Sequence, residues 1–196
     1  MILEKLLSSQ ELKSIIKEFI SINKEIWDIG IYGSVVRGKI DISDIDIIII
    51  LKNNLDLNKK LELSQKLKSK IKKIINFDMD IKCIDINDFT DNDFLARNGI
   101  IAESFLFNRK IYLAEIFGFK SFYIFEYNLS GLKKSEKQMF LYALNGRGGN
   151  KGLLQIMDIR HIGRGVIQVP LKYAEAVKEF LEKNHIKSKI KRALIY

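Results

Sequence analysis

The stretch Tyr32–Ile50, YGSVVRGKIDISDIDIIII, decides how this chain is read. From Gly33 it runs G-x-x-x-x-G-K, which is all but the last position of the phosphate-binding loop G-x-x-x-x-G-K-[ST]. Over a longer window it is a Gly-Ser turn followed by two carboxylates, Asp44 and Asp46, on an apolar run. The two readings exclude each other. A P-loop needs a Ser or Thr hydroxyl after its lysine to ligate Mg2+, and a sustained helix from there on. Lys39 is followed by Ile40 and then by a β-branched, alternating segment that is a poor helix start. The P-loop reading fails on both counts, and Lys39 becomes an ordinary loop residue.

The longer reading passes the same test. Side chains alternate along a strand, so Asp44 and Asp46 point to one side, about 7 Å apart. Such a pair repels itself unless a cation neutralises it, and hard carboxylate oxygens suit Mg2+ or Mn2+. Ile45 and Ile47–Ile50 are apolar, so the strand is core and the aspartates stand at its start. Nine residues, 35–43, separate Ser34 from Asp44, enough for a short helix and turn that bring Gly33 and Ser34 beside the carboxylates. Backbone N–H groups at a helix start, with a serine hydroxyl, make a phosphate seat. FDMDIKCI offers a third acid on another strand, Asp80 or Asp78. Phosphate seat, acids and metal together fit phosphoryl or nucleotidyl transfer.

Helices and strands alternate around this centre. Ser8 and Glu11 fit a capping box before a helix to about Asn23, and EIWDIGIYG reads as a strand. Leu63, Leu67, Ile71 and Ile74 mark one face of a helix within residues 57–75; residues 88–105 look helical, and FLFNRKIYLA fits a hairpin turning at Asn108–Arg109. Past a boundary in FEYNLSGLKKSEK, QMFLYAL reads as a strand, NGRGGNKG as a loop, GRGVIQVP as a strand, LKYAEAVKEFLEKN as a helix and HIKSKIKRALIY as a closing strand. The expected fold is α/β (α+β), with one domain over residues 1–127 and a small basic βαβαβ domain over 128–196.

Composition bounds the function. At 47% apolar and 29% charged residues, without a run long enough to span a membrane, the chain reads as soluble and cytoplasmic. The one cysteine, Cys83, flanked by apolar residues, reads as a buried, inert thiol. The net charge of +9 is uneven: residues 1–127 hold 19 basic and 19 acidic side chains, and residues 128–196 hold 14 and 5, which is 14 − 5 = +9. Such asymmetry fits contact with a polyanion. Candidates are Arg147 and Lys151 in the glycine-rich loop and Lys187, Lys189 and Lys191 on one face of the last strand, although a flexible loop and a solvated edge read equally well.

GSVVRGKIDISDIDI resembles the signature of the DNA polymerase β-type nucleotidyltransferase superfamily, and the form GS..RG......SDID is most similar to its minimal bacterial and archaeal members. The resemblance covers roughly residues 25–90 and implies a mixed sheet flanked by helices. It further implies that Asp44, Asp46 and a third acid, Asp80 before Asp78, hold two Mg2+ ions, and that Gly33 and Ser34 hold the β- and γ-phosphates. Arg37 stands where family members often carry an arginine, and either touches phosphate or pairs with an acid. The implied reaction moves a nucleoside monophosphate from a nucleoside triphosphate, ATP first among them, to a hydroxyl of RNA, DNA or protein, releasing pyrophosphate. Modification of a partner protein, as by antitoxin-type minimal members, and a non-catalytic binding module are the alternatives. Oligomeric state is open.

Overall fold

In the computed structural model, which describes residues 2–196, the chain opens with two helices, α1 (Ile2–Ser8) and α2 (Gln10–Ile22). The expected cap shifts by one residue. Ser8 closes α1 by donating its hydroxyl to the Lys5 carbonyl at 3.0 Å, which leaves Ser9 to cap α2 by accepting from the Leu12 N–H at 3.2 Å. Then come β1 (Ile26–Tyr32), β2 (Asp44–Leu51), α3 (Leu57–Ile71) and β3 (Asp78–Ile84). The helix expected around 88–105 is two helices, α4 (Ile86–Thr90) and α5 (Arg97–Glu103). Asp91 breaks it: its carboxylate accepts from the Asp93 N–H at 2.9 Å, an Asx turn that competes with helix, and Arg97 clasps the Asp91 carbonyl at 2.6 Å. β4 (Phe105–Leu106) and β5 (Ile111–Tyr112) form the hairpin expected around Asn108–Arg109, and α6 (Leu113–Ile116) follows.

Among the described residues these strands form a five-stranded mixed sheet in the order β3-β2-β1-β4-β5, with β2 and β3 parallel and the other pairs antiparallel. Both faces are covered, so β2 is apolar on both. Ile45, Ile47 and Ile49 share one face with the buried Leu12, Ile16 and Phe19 of α2 and Leu63, Leu67 and Ile71 of α3 as the apolar stripes that cover it. Ile48 and Ile50 pack on the other face with Ile84, Ile100, Leu106 and Leu113. Each isoleucine buried this way stabilises the fold by about 1.5–3 kcal/mol.

The chain divides into two compact units, one ending at Phe119 and the other spanning Lys120–Tyr196. The division falls eight residues before the 127/128 boundary read from sequence, because β6 (Lys120–Tyr127) belongs to the second sheet. After β6 come α7 (Lys134–Asn145), a small ladder of β7 (Gly146–Arg147) and β8 (Asn150–Lys151), α8 (Leu153–Ile156), β9 (Arg160–Gly163), β10 (Val166–Pro170), α9 (Ala174–Lys183) and β11 (Ser188–Ile195). QMFLYAL, expected as a strand, lies in α7. Phe140 and Leu144, four residues apart, bury one helix face, and the Glu136 carboxylate accepts from the Lys133 N–H at 2.7 Å to start the helix. A short apolar run carries no period, and the flanking cap decided its form. The βαβαβ order expected over 128–196 is thus not what the stretch forms: it begins with α7, and the strand before that helix is β6. The second sheet is antiparallel in the order β11-β6-β10-β9, and Phe140 stacks on Phe180 at 5.3 Å to join α7 to α9. Among the described residues no helix is long and apolar enough to cross a membrane.

Two buried acids hold the first unit together. Asp28, 0% exposed, accepts from the Asn108 N–H at 3.1 Å and from the Arg109 side chain at 2.9 Å, and that guanidinium lies 3.7 Å from the Trp27 ring centroid. This pins the β4–β5 turn to β1. Asp85, 1% exposed, caps α4 and accepts from Lys60 of α3 at 2.8 Å. Burial alone would raise the Asp85 carboxyl, but the hydrogen bonds from Lys60 and the Asn87 N–H outweigh it and hold the carboxyl below its ordinary value. Asp28→Ala takes the carboxylate away from the Ile29, Asn108 and Arg109 N–H groups and from a guanidinium that is one third exposed, so we expect a loss of about 1–3 kcal/mol in urea unfolding. Asp85 adds stability at pH values above its unfolded pKa, and that stability is lost as pH falls through its depressed folded value. Asp85→Asn is therefore expected to flatten the acid limb of a Tm-against-pH curve while lowering Tm at neutral pH.

Candidate functional site

The site grows out of the junction between β1 and β2. β1 ends on Tyr32, and the chain turns through a 3-10 helix at Gly33–Val35, where a short helix and turn were expected. The Val36 and Arg37 N–H groups donate to the Gly33 carbonyl at 3.1 and 3.2 Å, and the Lys39 N–H donates to the Ser34 carbonyl at 3.0 Å. Gly33 has φ +76°, a left-handed conformation open to glycine, and a Cβ built on it would collide with the Asp46 carboxylate. A glycine is required there for both reasons. Gly33 and Asp46 are thus in contact, and the turn carrying Ser34 lies against the acid pair. Lys39 is exposed on the loop beyond.

The ladder registers set the acids in rows. Asp46 pairs with Tyr32 on one side and Asp80 on the other, and Asp44 pairs with Asp78. Paired residues share a sheet face, so Tyr32, Asp46 and Asp80 form one row across three strands. Behind that row the same face is apolar, with Ile48, Ile50 and Ile84 buried. The carboxylates therefore stand at the rim of a dry surface. The Asp46 carboxyl is raised above its ordinary value, first by burial and then by the charges of Asp44 and Asp80, against the opposing pull of Lys82 and Arg37. Ser43 donates its hydroxyl to Asp44 at 2.8 Å. Asp78 faces outward at 79% exposure, with Lys72 3.6 Å away, whereas the Asp80 side chain is 49% exposed and acts on Asp46.

Sequence reasoning missed Lys82. Its ammonium donates to Asp80 Oδ2 at 2.6 Å and to the Tyr32 hydroxyl at 3.2 Å, and lies 5.9 Å from the Tyr32 ring centroid. The signal was present, because Asp80 and Lys82 are two residues apart on one strand and must share a face. Burial would lower the Lys82 ammonium, but its bonds to Asp80 and Tyr32 hold it above the ordinary lysine value, so it stays charged. Arg37 donates to Glu103 at 2.7 Å, and Glu103 is 1% exposed. Of the two roles open to Arg37, an acid contact is thus present. Cys83 is partly buried, and burial pushes its thiol up to about 12.

Asp44, Asp46 and Asp80 are hard oxygen donors, crowded enough for a divalent cation to relieve their repulsion. Among the described residues, no three His, Cys, Asp or Glu side chains already form a metal-ready cluster, and Asp80 is engaged by Lys82. The basic candidates of the second unit fall in two separate ladders. Arg147 and Lys151 sit in β7 and β8, with the Arg147 guanidinium 4.4 Å from the Tyr142 ring centroid. Lys189 and Lys191 lie in β11 with Lys187 just before it, and Lys191 pairs with Glu126 at 2.8 Å. Taken by unit, residues 120–196 hold 15 basic and 6 acidic side chains, 15 − 6 = +9, and residues 1–119 hold 18 of each.

The family described as "Polymerase beta, Nucleotidyltransferase" matches residues 14–112. No curated protein matches the chain. Among solved structures, a mutant of the toxin–antitoxin pair MntA–HpeT is similar at 23% identity and a TM-score of 0.34, over 48% of this chain and 68% of that one. A tri-AMPylated Shewanella oneidensis HEPN toxin in complex with MNT antitoxin is similar at 20% identity and a TM-score of 0.35, over 54% of this chain and 81% of that one. The crowding at Asp46 predicts one outcome without any assay of turnover. In metal-free buffer Asp46→Asn is expected to raise Tm at neutral pH, because it removes a charge that burial and two like neighbours disfavour. A scanning fluorimetry trace with Tm unchanged or lowered would contradict that reading of the site.

Proposed function

The chain belongs to the polymerase beta nucleotidyltransferase family, and from that premise we propose that it transfers a nucleoside monophosphate from a nucleoside triphosphate to a hydroxyl acceptor, with release of pyrophosphate. The observation that carries this reading is the contact between Gly33 and Asp46. It ties a turn suited to phosphate to a carboxylate suited to a metal, within one strand–turn–strand unit. A divalent cation, Mg2+ before Mn2+, would draw negative charge off the α-phosphate and its leaving group when bound by Asp44, Asp46 and Asp80.

The chain's own residues divide the remaining work. The Gly33–Ser34 turn offers its hydroxyl and backbone N–H groups to the β- and γ-phosphates. Asp80, beside Asp46 in the ladder, is the better third acid than the outward-facing Asp78, and accepts the proton of the attacking hydroxyl. Arg37, held by Glu103, braces the chain just past the turn and adds positive charge on the side of Asp46. The apolar wall of Ile48, Ile50 and Ile84 keeps water from the inner side of the acids. ATP is the first candidate donor. The acceptor is RNA, DNA or protein, and the +9 carried by residues 120–196 supports a nucleic acid held by that unit.

The test is incubation of the protein with each α-labelled nucleoside triphosphate, Mg2+ and, in turn, total RNA, DNA and protein. Label is expected in one acceptor class, and Asp46→Asn is expected to cut incorporation by at least about 1,000-fold. Undiminished labelling by Asp46→Asn would end the reading.

A further inference from the structure

Lys82 is a cation inside an acidic site, and none of the steps above uses it. Its ammonium is fixed from two directions, by Asp80 at 2.6 Å and by the Tyr32 hydroxyl at 3.2 Å. Tyr32 is 7% exposed, so that hydroxyl is a rigid anchor on the end of β1. We propose that Lys82 is a built-in counter-cation that holds Asp80 until a divalent cation claims it, and so sets the metal affinity of the site. This rests on Asp44, Asp46 and Asp80 being the metal-binding acids.

Three features carry the inference. First, Lys82 and a divalent cation compete for the same carboxylate, because the Asp80 oxygen that accepts from Lys82 is one of only two that Asp80 has to offer. Secondly, the residue is a lysine. An ammonium on four flexible carbons is a mobile point charge, whereas a guanidinium would grip the carboxylate through two parallel bonds. Thirdly, Tyr32 gives the ammonium somewhere to stay. Once Asp80 is taken, Lys82 keeps its bond to the Tyr32 hydroxyl and has two N–H donors left, on the same sheet face as Asp46 and opposite Ile48, the next residue on that face. Arg37 cannot stand in for it, since Arg37 is held by Glu103. The charge released from Asp80 thus becomes available to an incoming anion as the site is loaded.

The test is Mn2+ binding by the full-length, metal-stripped protein, with free Mn2+ followed by electron paramagnetic resonance. Lys82→Met is expected to bind Mn2+ roughly tenfold tighter than the parent, the scale of one neighbouring charge. Lys82→Arg should stay at or below the parent affinity, and Tyr32→Phe should fall between. Lys72→Met, which removes a cation from Asp78 instead, should leave affinity unchanged. Binding that requires Asp46 but is unchanged in Lys82→Met overturns the counter-cation and leaves nucleotidyl transfer standing. So does an equal gain in Lys72→Met, which would make the effect one of general charge. Mn2+ binding that is absent, or indifferent to Asp46→Asn, overturns both readings. If circular dichroism shows that Lys82→Met does not fold, Tyr32→Phe decides by the same titration.

Discussion

The approach of Asp46 to Gly33 is the constraint on which the rest of the site depends. β1 and β2 are antiparallel neighbours, and the chain leaves one and enters the other beside Asp46. With a side chain at position 33, the turn would have to lift away from the sheet, and Ser34 with it. Glycine lets the backbone close down on the carboxylate. What makes the turn tight also makes the site crowded, because the space a Cβ would fill is the space the carboxylate occupies. Turn geometry and acid geometry are one feature, and neither can change without the other.

That crowding is tolerated because the surrounding sheet is apolar on both faces. Ile45, Ile48 and Ile49 are at most 2% exposed, and they fix β2 far more strongly than the repulsion at its start can disturb it. The same rigidity keeps the acids from spreading apart. Carboxylates on a frayed strand end would relieve their repulsion by moving, whereas here Asp46 answers by holding its proton more tightly. Lys82 answers the same repulsion at Asp80 by supplying a charge. The site is an arrangement of poorly compensated charge held by a well-packed core, the usual relation between an active site and the scaffold that carries it.

Legibility from sequence followed periodicity and failed where tertiary pairing decided. The strand of Asp44–Leu51 was readable as an apolar run buried on both faces, the helix through Leu63, Leu67 and Ile71 by its period of about three and a half, and the third strand by its period of two. The helix α7 was not, since MFLYAL has no period of its own and Glu136 capping Lys133 set its form. The break at Asp91 was missed for a related reason: an Asx turn is a local competitor that an apolar pattern cannot register. Gly33, Ser34, Asp44 and Asp46 lie in one segment and could be read together. Tyr32 and Lys82 are 50 residues apart and meet only through the β1-β2-β3 order. The pairing of Arg37 with Glu103 spans 66 residues and has no local signature either.

The division of charge between the units bears on how such a site can take a polyanion at all. Asp44, Asp46 and Asp80 with Lys82 leave the centre negative, in a unit whose 18 basic and 18 acidic side chains cancel. A nucleoside triphosphate approaching that centre meets like charge, so its attraction has to come from cations bound with it or from elsewhere in the chain. Residues 120–196 hold the whole excess of +9, with basic side chains along the entire stretch from Lys120 to Arg192 rather than gathered in one segment. Spread cations raise the local concentration of any polyanion without selecting its sequence, and they lose that effect in salt. The charge excess and the paired acids thus fall in different stretches of the chain.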